Sequence, residues 1–391
     1  MIQFQISAPG SIILSGEHAM LYGKRGVMAG LDLRTTLKFV ELIDDPRNII
    51  KIEFPDIDIS LNLSWQLVQH LFSNNLIYLN LNKISCLRNV EYFITLNGMW
   101  KTHPQRFSLQ TFFFLLLYIA HNEELDMKPF HVRLTTQLTM GAGLGSSTSF
   151  AVCLAACFLH WARLQRGAHD AFELNELKTI LRYVLQYEEM VQNYMFAINS
   201  GACSFGNINI RYMNTNNHYF SNHTIYMPRM KILLIDSRIH QSKHEQIKRM
   251  AELKYSYPES VNSILEKIDE ISKRFCKKLL EIRINYINHN SLQLENSFTA
   301  LQTAIQVNQS LLSKLNMSYP ELDIICSIAR ECGFAGKLTG FGRFVYILLP
   351  PDIPEVLIEN LSTHLMAEGF HSTITSMSPN GVTIHDYNDH L

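Results

Sequence analysis

Alternating apolar and polar residues open the chain. MIQFQIS predicts a half-buried strand that Pro9-Gly10 is expected to break, and SIILS and GVMAGLDLRTTLKFVELI predict further strands. Residues 44–101 carry short apolar runs, asparagines and an Asp-Pro step without a clear period, and are assigned to strands and loops. Residues 106–121 are apolar on every side, as a core helix would be. FHVRLTTQLTM returns to alternation, a glycine-rich loop follows, and the text is helical from Ser147 onward, which makes a strand, loop, helix unit. Helical spacing returns over residues 171–193, GNINIRYM reads as a strand, and the polar NTNNHYFSNH (214–223) is the expected domain boundary. MKILLID then opens the second half as a strand. Residues 243–316 are nearly continuous helical pattern, broken at Tyr257-Pro258 and at 288–291. Pro320 suits the first turn of another helix, KLTGFGRFVYILLPP is a glycine turn and a strand, and a helix near 354–368 and two strands close the chain.

Composition narrows the possibilities. A length of 391 residues suggests two or three domains, or two intertwined, and 47% hydrophobic with 18% charged residues is a globular balance. The formal net charge of -1 gives no global attraction for nucleic acid or anionic lipid, so neither is an expected partner and an acidic ligand must be held locally. Seven scattered cysteines, never spaced C-x-x-C, predict free buried thiols in a reducing compartment. The first ten residues have no secretory signal pattern, and the last three are no recognised address. The nine-residue apolar run 112–120 falls short of the roughly 20 needed to span a bilayer. A cytoplasmic protein is expected.

The most specific chemistry lies in MGAGLGSSTSF (140–150). Glycines after a strand let backbone approach a ligand, and a helix beginning at once adds the positive end of its dipole, so phosphate is the natural guest. Ser146 and Ser147 offer hydroxyls or a magnesium ligand. Neither G-K-[ST] nor G-x-G-x-x-G is present, and a tight structural turn is the alternative. His240, His244 and Glu245 have a spacing that would suit a metal only with a further ligand, and Ser237, Arg238 and Lys243 stand where an anion or plain solvent would serve.

Three segments, APGSIILSGEHAMLYG (8–23), GAGLGSS (141–147) and GKLTGFG (336–342), resemble in order and spacing the motifs of the superfamily of galactokinase, homoserine kinase, mevalonate kinase and phosphomevalonate kinase. The wording is nearest the mevalonate kinase family, with echoes in LRTTL, CLAA, VNQSLL, SYPELDIIC and the closing NGVTIH. The resemblance implies an α+β fold of two domains. These are an N-terminal domain like ribosomal protein S5 domain 2 (1–220) and a ferredoxin-like C-terminal domain (221–391), with the active-site cleft between them and room for the final strand to return to the first. It implies ATP and Mg2+ as cofactors, mevalonate as substrate and leaves room for a homodimer. Gly141, Ala142, Gly143, Leu144, Gly145, Ser146, Ser147, Thr339 and Gly340 are the implied nucleotide contacts, Ser146 and Glu188 the metal ligands, and Glu17 and His18 the substrate neighbours.

The chain departs from that pattern at three places. Ser11 stands where the family has lysine, and Asn199 aligns with the aspartate proposed as base, although asparagine takes no proton. The P-S-G turn before it is replaced by residues 194–197, and Phe341, Arg343 and Phe344 replace small residues of the third motif. Phosphoryl transfer is mostly positioning and charge stabilisation, so these changes leave three readings: a slow kinase, a changed substrate, or a non-catalytic homologue that binds nucleotide or a partner subunit.

Overall fold

The computed structural model describes residues 2–42, 46–192, 199–213, 220–240, 242–377 and 380–388. The first third holds β1 (Gln3–Ser15), β2 (Gly26–Glu41), β3 (Ile49–Phe54), β4 (Ile59–Ser64), α1 (Trp65–Leu81), α2 (Lys83–Leu96), α3 (His103–Asn122) and β5 (Phe130–Thr136). The middle holds α4 (Ser146–Leu164), α5 (Leu174–Gln192), α6 (Ser200–Phe205), β6 (Ile208–Met213), β7 (Phe220–Ile225) and β8 (Met230–Asp236). After these come α7 (Lys243–Ser256), α8 (Pro258–Ile287), α9 (Ser291–Lys314), α10 (Pro320–Glu331), β9 (Gly336–Thr339), β10 (Phe344–Leu348), α11 (Glu355–Ala367), β11 (His371–Met377) and β12 (Thr383–His385).

The strands form one hydrogen-bonded network in the order β4-β3-β5-β2-β11-β8-β10-β9, with β1 pairing β2 and β12, and β6 pairing β2 and β7. Two long strands organise it. The outer half of β1 and the second half of β2 send Phe4, Ile6, Ala8, Leu37 and Phe39 into one apolar cluster under α3 and α4. Past the register shift at Pro9/Gly10, Ile12, Leu14, Val27, Ala29 and Leu31 enter a second cluster, shared with α8, α9, α10 and β8 to β10. Pro9-Gly10 therefore does not break the strand, contrary to expectation: a bulge absorbs the proline, which cannot donate to the ladder, and β1 runs through both cores.

Residues 65–96 also differ from the strand-and-loop reading, because α1 and α2 occupy them. Their asparagines and β-branched residues blur the helical period, while burial of Val68, Leu71, Cys86, Leu87, Val90 and Ile94 supplies what propensity lacks. Asn82 caps α2 by accepting from the Ile84 and Ser85 amides at 3.1 and 3.3 Å. The expected core helix is α3, set by a capping box between Thr102 and Gln105 and buried along the aromatic run Phe112, Phe113, Phe114. Helix α4 has the length and apolarity of a membrane span, yet it is mostly buried in the fold against α3, α5, β1 and β2. The predicted helical stretch after residue 243 divides at Tyr257 and Asn288 into α7, α8 and α9. All seven cysteines are free, six of them buried. Of the expected boundary segment, 214–219 lie outside the described residues, and 220–225 form β7 on β6.

The closing segment is tied down by Arg34. Its guanidinium donates to Ser7 Oγ at 2.8 Å, the Ser7 carbonyl at 3.0 Å, the Gly381 carbonyl at 2.7 Å and Thr383 Oγ1 at 3.2 Å, while β12 pairs with β1. Arg34→Met is expected to lower the unfolding free energy by about 2–3 kcal/mol, because buried acceptors lose a charged donor. Urea unfolding measures it.

Candidate active site

The bulge of β1 is where the glycine loop docks. The Ser11 amide donates to the Leu144 carbonyl at 2.9 Å, so the loop is pinned to the strand at the junction of the two cores. Gly141, Gly143 and Gly145 adopt φ of 70°, 83° and 73°, and α4 starts at Ser146 with Gly145 as its N-cap. A side chain at Gly145 has no room: its Cβ would lie 2.2 Å from Ser11 Oγ. Opposite, a Cβ on Gly340 would lie 2.9 Å from the Gly143 carbonyl oxygen, so the two glycine turns touch through backbone. The result is an open helix N-terminus fronted by flexible-geometry backbone, which suits a phosphate chain. Gly145→Ala is expected to cost about 2–5 kcal/mol, from left-handed backbone strain plus the collision with Ser11, read by thermal unfolding.

A cavity of about 200 Å³ lies on this loop, lined by 141–143, 145–147, Asn199, Lys243, Gly340 and Arg343. A second compartment of about 30 Å³ adjoins it and is lined by Glu17 and His18 with Met20, Leu21 and Ile247. Ile13, Asn199, Lys243, Gly340 and Phe341 line both and form the wall between them. Phe341 stands in that wall with its ring edge-on to His18 at 5.9 Å between centroids and the Lys243 ammonium 5.5 Å from its own.

The smaller compartment has a polar floor. Glu17 and Lys337 are both buried and form an ion pair, and the Lys337 ammonium also donates to the Leu338 carbonyl at 2.5 Å. Burial pushes the Glu17 carboxyl up and the Lys337 ammonium down, while their contact opposes both shifts. Glu17 Oε2 and His18 Nδ1 have no hydrogen-bond partner among the described residues. Two buried polar atoms without partners, on residues that line one cavity, are hydrogen-bonding capacity for a polar guest. Burial, with the Lys337 charge behind it, lowers His18 from 6.5 to about 4. The folded state thus resists protonation of His18. Its contribution to stability is full above about pH 6.5 and is lost as pH falls toward 4, an effect of about 3 kcal/mol. Equilibrium unfolding across that window, with a flatter response in His18→Gln, checks it.

Glu188 lies beneath the first turn of α4. It accepts from Thr148 Oγ1 at 2.7 Å and Ser200 Oγ at 2.9 Å, and burial raises its carboxyl against these hydrogen bonds and the charges of Lys243 and Arg211. A magnesium ion takes oxygen ligands and retains waters, so one carboxylate, the Ser146 hydroxyl and phosphate oxygens make a donor set of suitable chemistry. No cluster of three acidic, histidine or cysteine ligands occurs among the described residues.

Other expected site residues take different places. Leu144 is a core side chain that contributes its carbonyl to Ser11. Thr339 clasps β1, accepting from the Ile13 amide at 2.8 Å and donating to the Ile13 carbonyl at 3.0 Å, and lines neither compartment. Ser11 is buried under Gly145 beside Cys203. Asn199 opens α6 with no side-chain capping bond and is partly exposed, whereas 194–197 lie outside the described residues. Arg343 is held in a two-pronged pair on Asp236 at 2.9 and 2.8 Å, which keeps that carboxyl low in spite of burial. His240 precedes α7, so it does not share a helix face with His244. Lys337 was readable in advance only as a lysine inside an otherwise buried strand, and Lys243 only as one of several basic residues near a helix start.

Residues 113–201 match the family described as GHMP kinases N terminal domain. The chain thus carries a central segment similar to that domain. Along nearly its whole length it is similar to mevalonate kinases in particular. The Aspergillus fumigatus enzyme is 27% identical over 404 residues, spanning 97% of this chain and 72% of its own. The Bos taurus enzyme is 26% identical over 391 residues, covering 97% and 94%. Among solved structures, Methanococcus jannaschii mevalonate kinase superposes with a TM-score of 0.65 at 19% identity, covering 96% of this chain and 99% of that one. L. major mevalonate kinase in complex with R-mevalonate gives 0.65 at 14% identity, with 96% of each chain covered. The α+β fold is that of these kinases.

Proposed function

We propose that the protein transfers the γ-phosphoryl group of ATP to the 5-hydroxyl of mevalonate. The observation that carries this reading is the pair of adjoining compartments, one on the glycine loop at the α4 N-terminus and one floored by Glu17 and His18, with a shared wall. The nucleotide phosphates lie on 141–147 and Gly340, and the acceptor lies against Glu17 and His18. Ser146 and Glu188 would hold Mg2+, which would supply positive charge to offset that of the phosphates. The acceptor oxygen bonds to the γ-phosphorus as the bond to the bridging oxygen of ADP breaks, and the hydroxyl proton leaves to solvent, since Asn199 accepts none. The two compartments belong to a cleft between an N-terminal domain up to about residue 220 and a C-terminal domain beyond it, in a cytoplasmic enzyme of isoprenoid and sterol precursor synthesis. A coupled assay for ADP with Mg-ATP and mevalonate tests this, and no ADP above background over hours overturns it.

A second reading has its own observation. Phe341 occupies the wall and Asn199 the base position, which supports a homologue that retains nucleotide and transfers nothing. Thermal unfolding separates the two: a rise in Tm with Mg-ATP and no turnover marks the second, because a ligand that binds the folded state alone must stabilise it.

A further inference from the structure

The family lysine at position 11 is gone, and the cleft supplies another cation from a different element. Helix α7 begins at Lys243, capped by Ser242 Oγ, which accepts from the Glu245 amide at 3.4 Å. The helix is fixed by buried Met250 and by Gln246, whose amide donates to Tyr319 Oη at 2.8 Å. Lys243 lines the compartment on the glycine loop and the one floored by Glu17 and His18, so it stands where a group passing between them must travel. Burial lowers the pKa of the Lys243 ammonium and the Glu188 charge opposes that shift, while the ammonium nitrogen lies 5.5 Å from the Phe341 ring centroid.

We propose that Lys243 is the cation that meets the γ-phosphate in this cleft, reaching from α7 to replace the lysine that Ser11 does not provide. This rests on the kinase reading above. A lysine brings a point charge and three donors on a long stem, which a serine at the bulge of β1 cannot. In the transfer step it neutralises charge on the γ-phosphate oxygens as the bond to ADP lengthens, and it gives up no proton.

The test uses the full chain and calorimetry with Mg2+ and either ADP or a non-hydrolysable ATP analogue. Lys243→Met is expected to weaken the analogue about 10-fold or more and ADP by less than about 3-fold, while Lys243→Arg keeps most of the preference. Equal losses for both nucleotides, or none, overturn the assignment. Thermal unfolding of the two variants without nucleotide shows that the fold persists. Where the wild type phosphorylates mevalonate, Lys243→Met is expected to lower kcat about 10²–10³-fold with KM for mevalonate nearly unchanged, and an unchanged kcat also overturns it. A wild type that prefers the analogue through Lys243 but forms no ADP removes the mevalonate kinase reading and leaves Lys243 as the γ-phosphate cation. A wild type that binds neither nucleotide removes both.

Discussion

Lys337→Met is expected to lower the unfolding free energy by about 3–5 kcal/mol, the range for removing one partner of a buried ion pair. Lys337 is fully buried on β9, and its partner Glu17 is 1% exposed, so the variant leaves a carboxylate with neither water nor a counter-charge. The ammonium also lies 5.6 Å from the Tyr346 ring centroid, and Tyr346 Oη donates to the Leu14 carbonyl at 2.7 Å, so the pair sits where β1, β9 and β10 meet. The double variant Glu17→Gln/Lys337→Met is expected to regain most of the loss in urea unfolding, since no charge is stranded. A double variant as unstable as the sum of its parts would mean that packing, not charge, holds this floor. His18 gives an independent readout. Lys337 is the second cause of its low value after burial, so the single variant lets His18 protonate at higher pH and flattens the stability change between pH 6.5 and 4.

That ion pair also shows what a sequence conceals. The glycine loop was legible because its chemistry is local: strand, alternating glycines and helix start lie within a few residues, and the structure keeps them contiguous. Helices α3, α8 and α9 were legible for a similar reason, since the period and the punctuation at Pro258 and Asn288 act over one or two turns. Glu17 and Lys337 meet only because β1 and β9 are neighbours in the finished fold, and Lys243 reaches the same cleft only because α7 packs where it does. Helices α1 and α2 were hidden because tertiary burial outweighs their own weak propensity. The proline bulge of β1 was misread because a break in hydrogen bonding and a break in the strand look alike without the partner strand.

Asn199→Asp alone is expected to raise turnover about 10²-fold or more if the protein is a slow mevalonate kinase, within the range a general base supplies. The geometry favours this change over restoring the lysine. Asn199 is partly exposed, lines both compartments and makes no side-chain cap, so a carboxylate of the same shape fits without repacking. Ser11 instead is buried with Gly145 above it, where a Cβ would already approach its Oγ to 2.2 Å, and Cys203 is beside it. Ser11→Lys is therefore expected to destabilise the loop before it can assist the reaction. The new carboxylate joins Lys243 in the lining of both compartments, and a nearby opposite charge favours the ionised form, so it is able to take the hydroxyl proton at neutral pH. The diagnostic is the pH profile of kcat/KM: Asn199→Asp is expected to gain an acid limb that the wild type lacks. A rate that stays flat, with no new limb, would mean that position 199 does not face the acceptor hydroxyl and that the limitation lies in the wall built by Phe341.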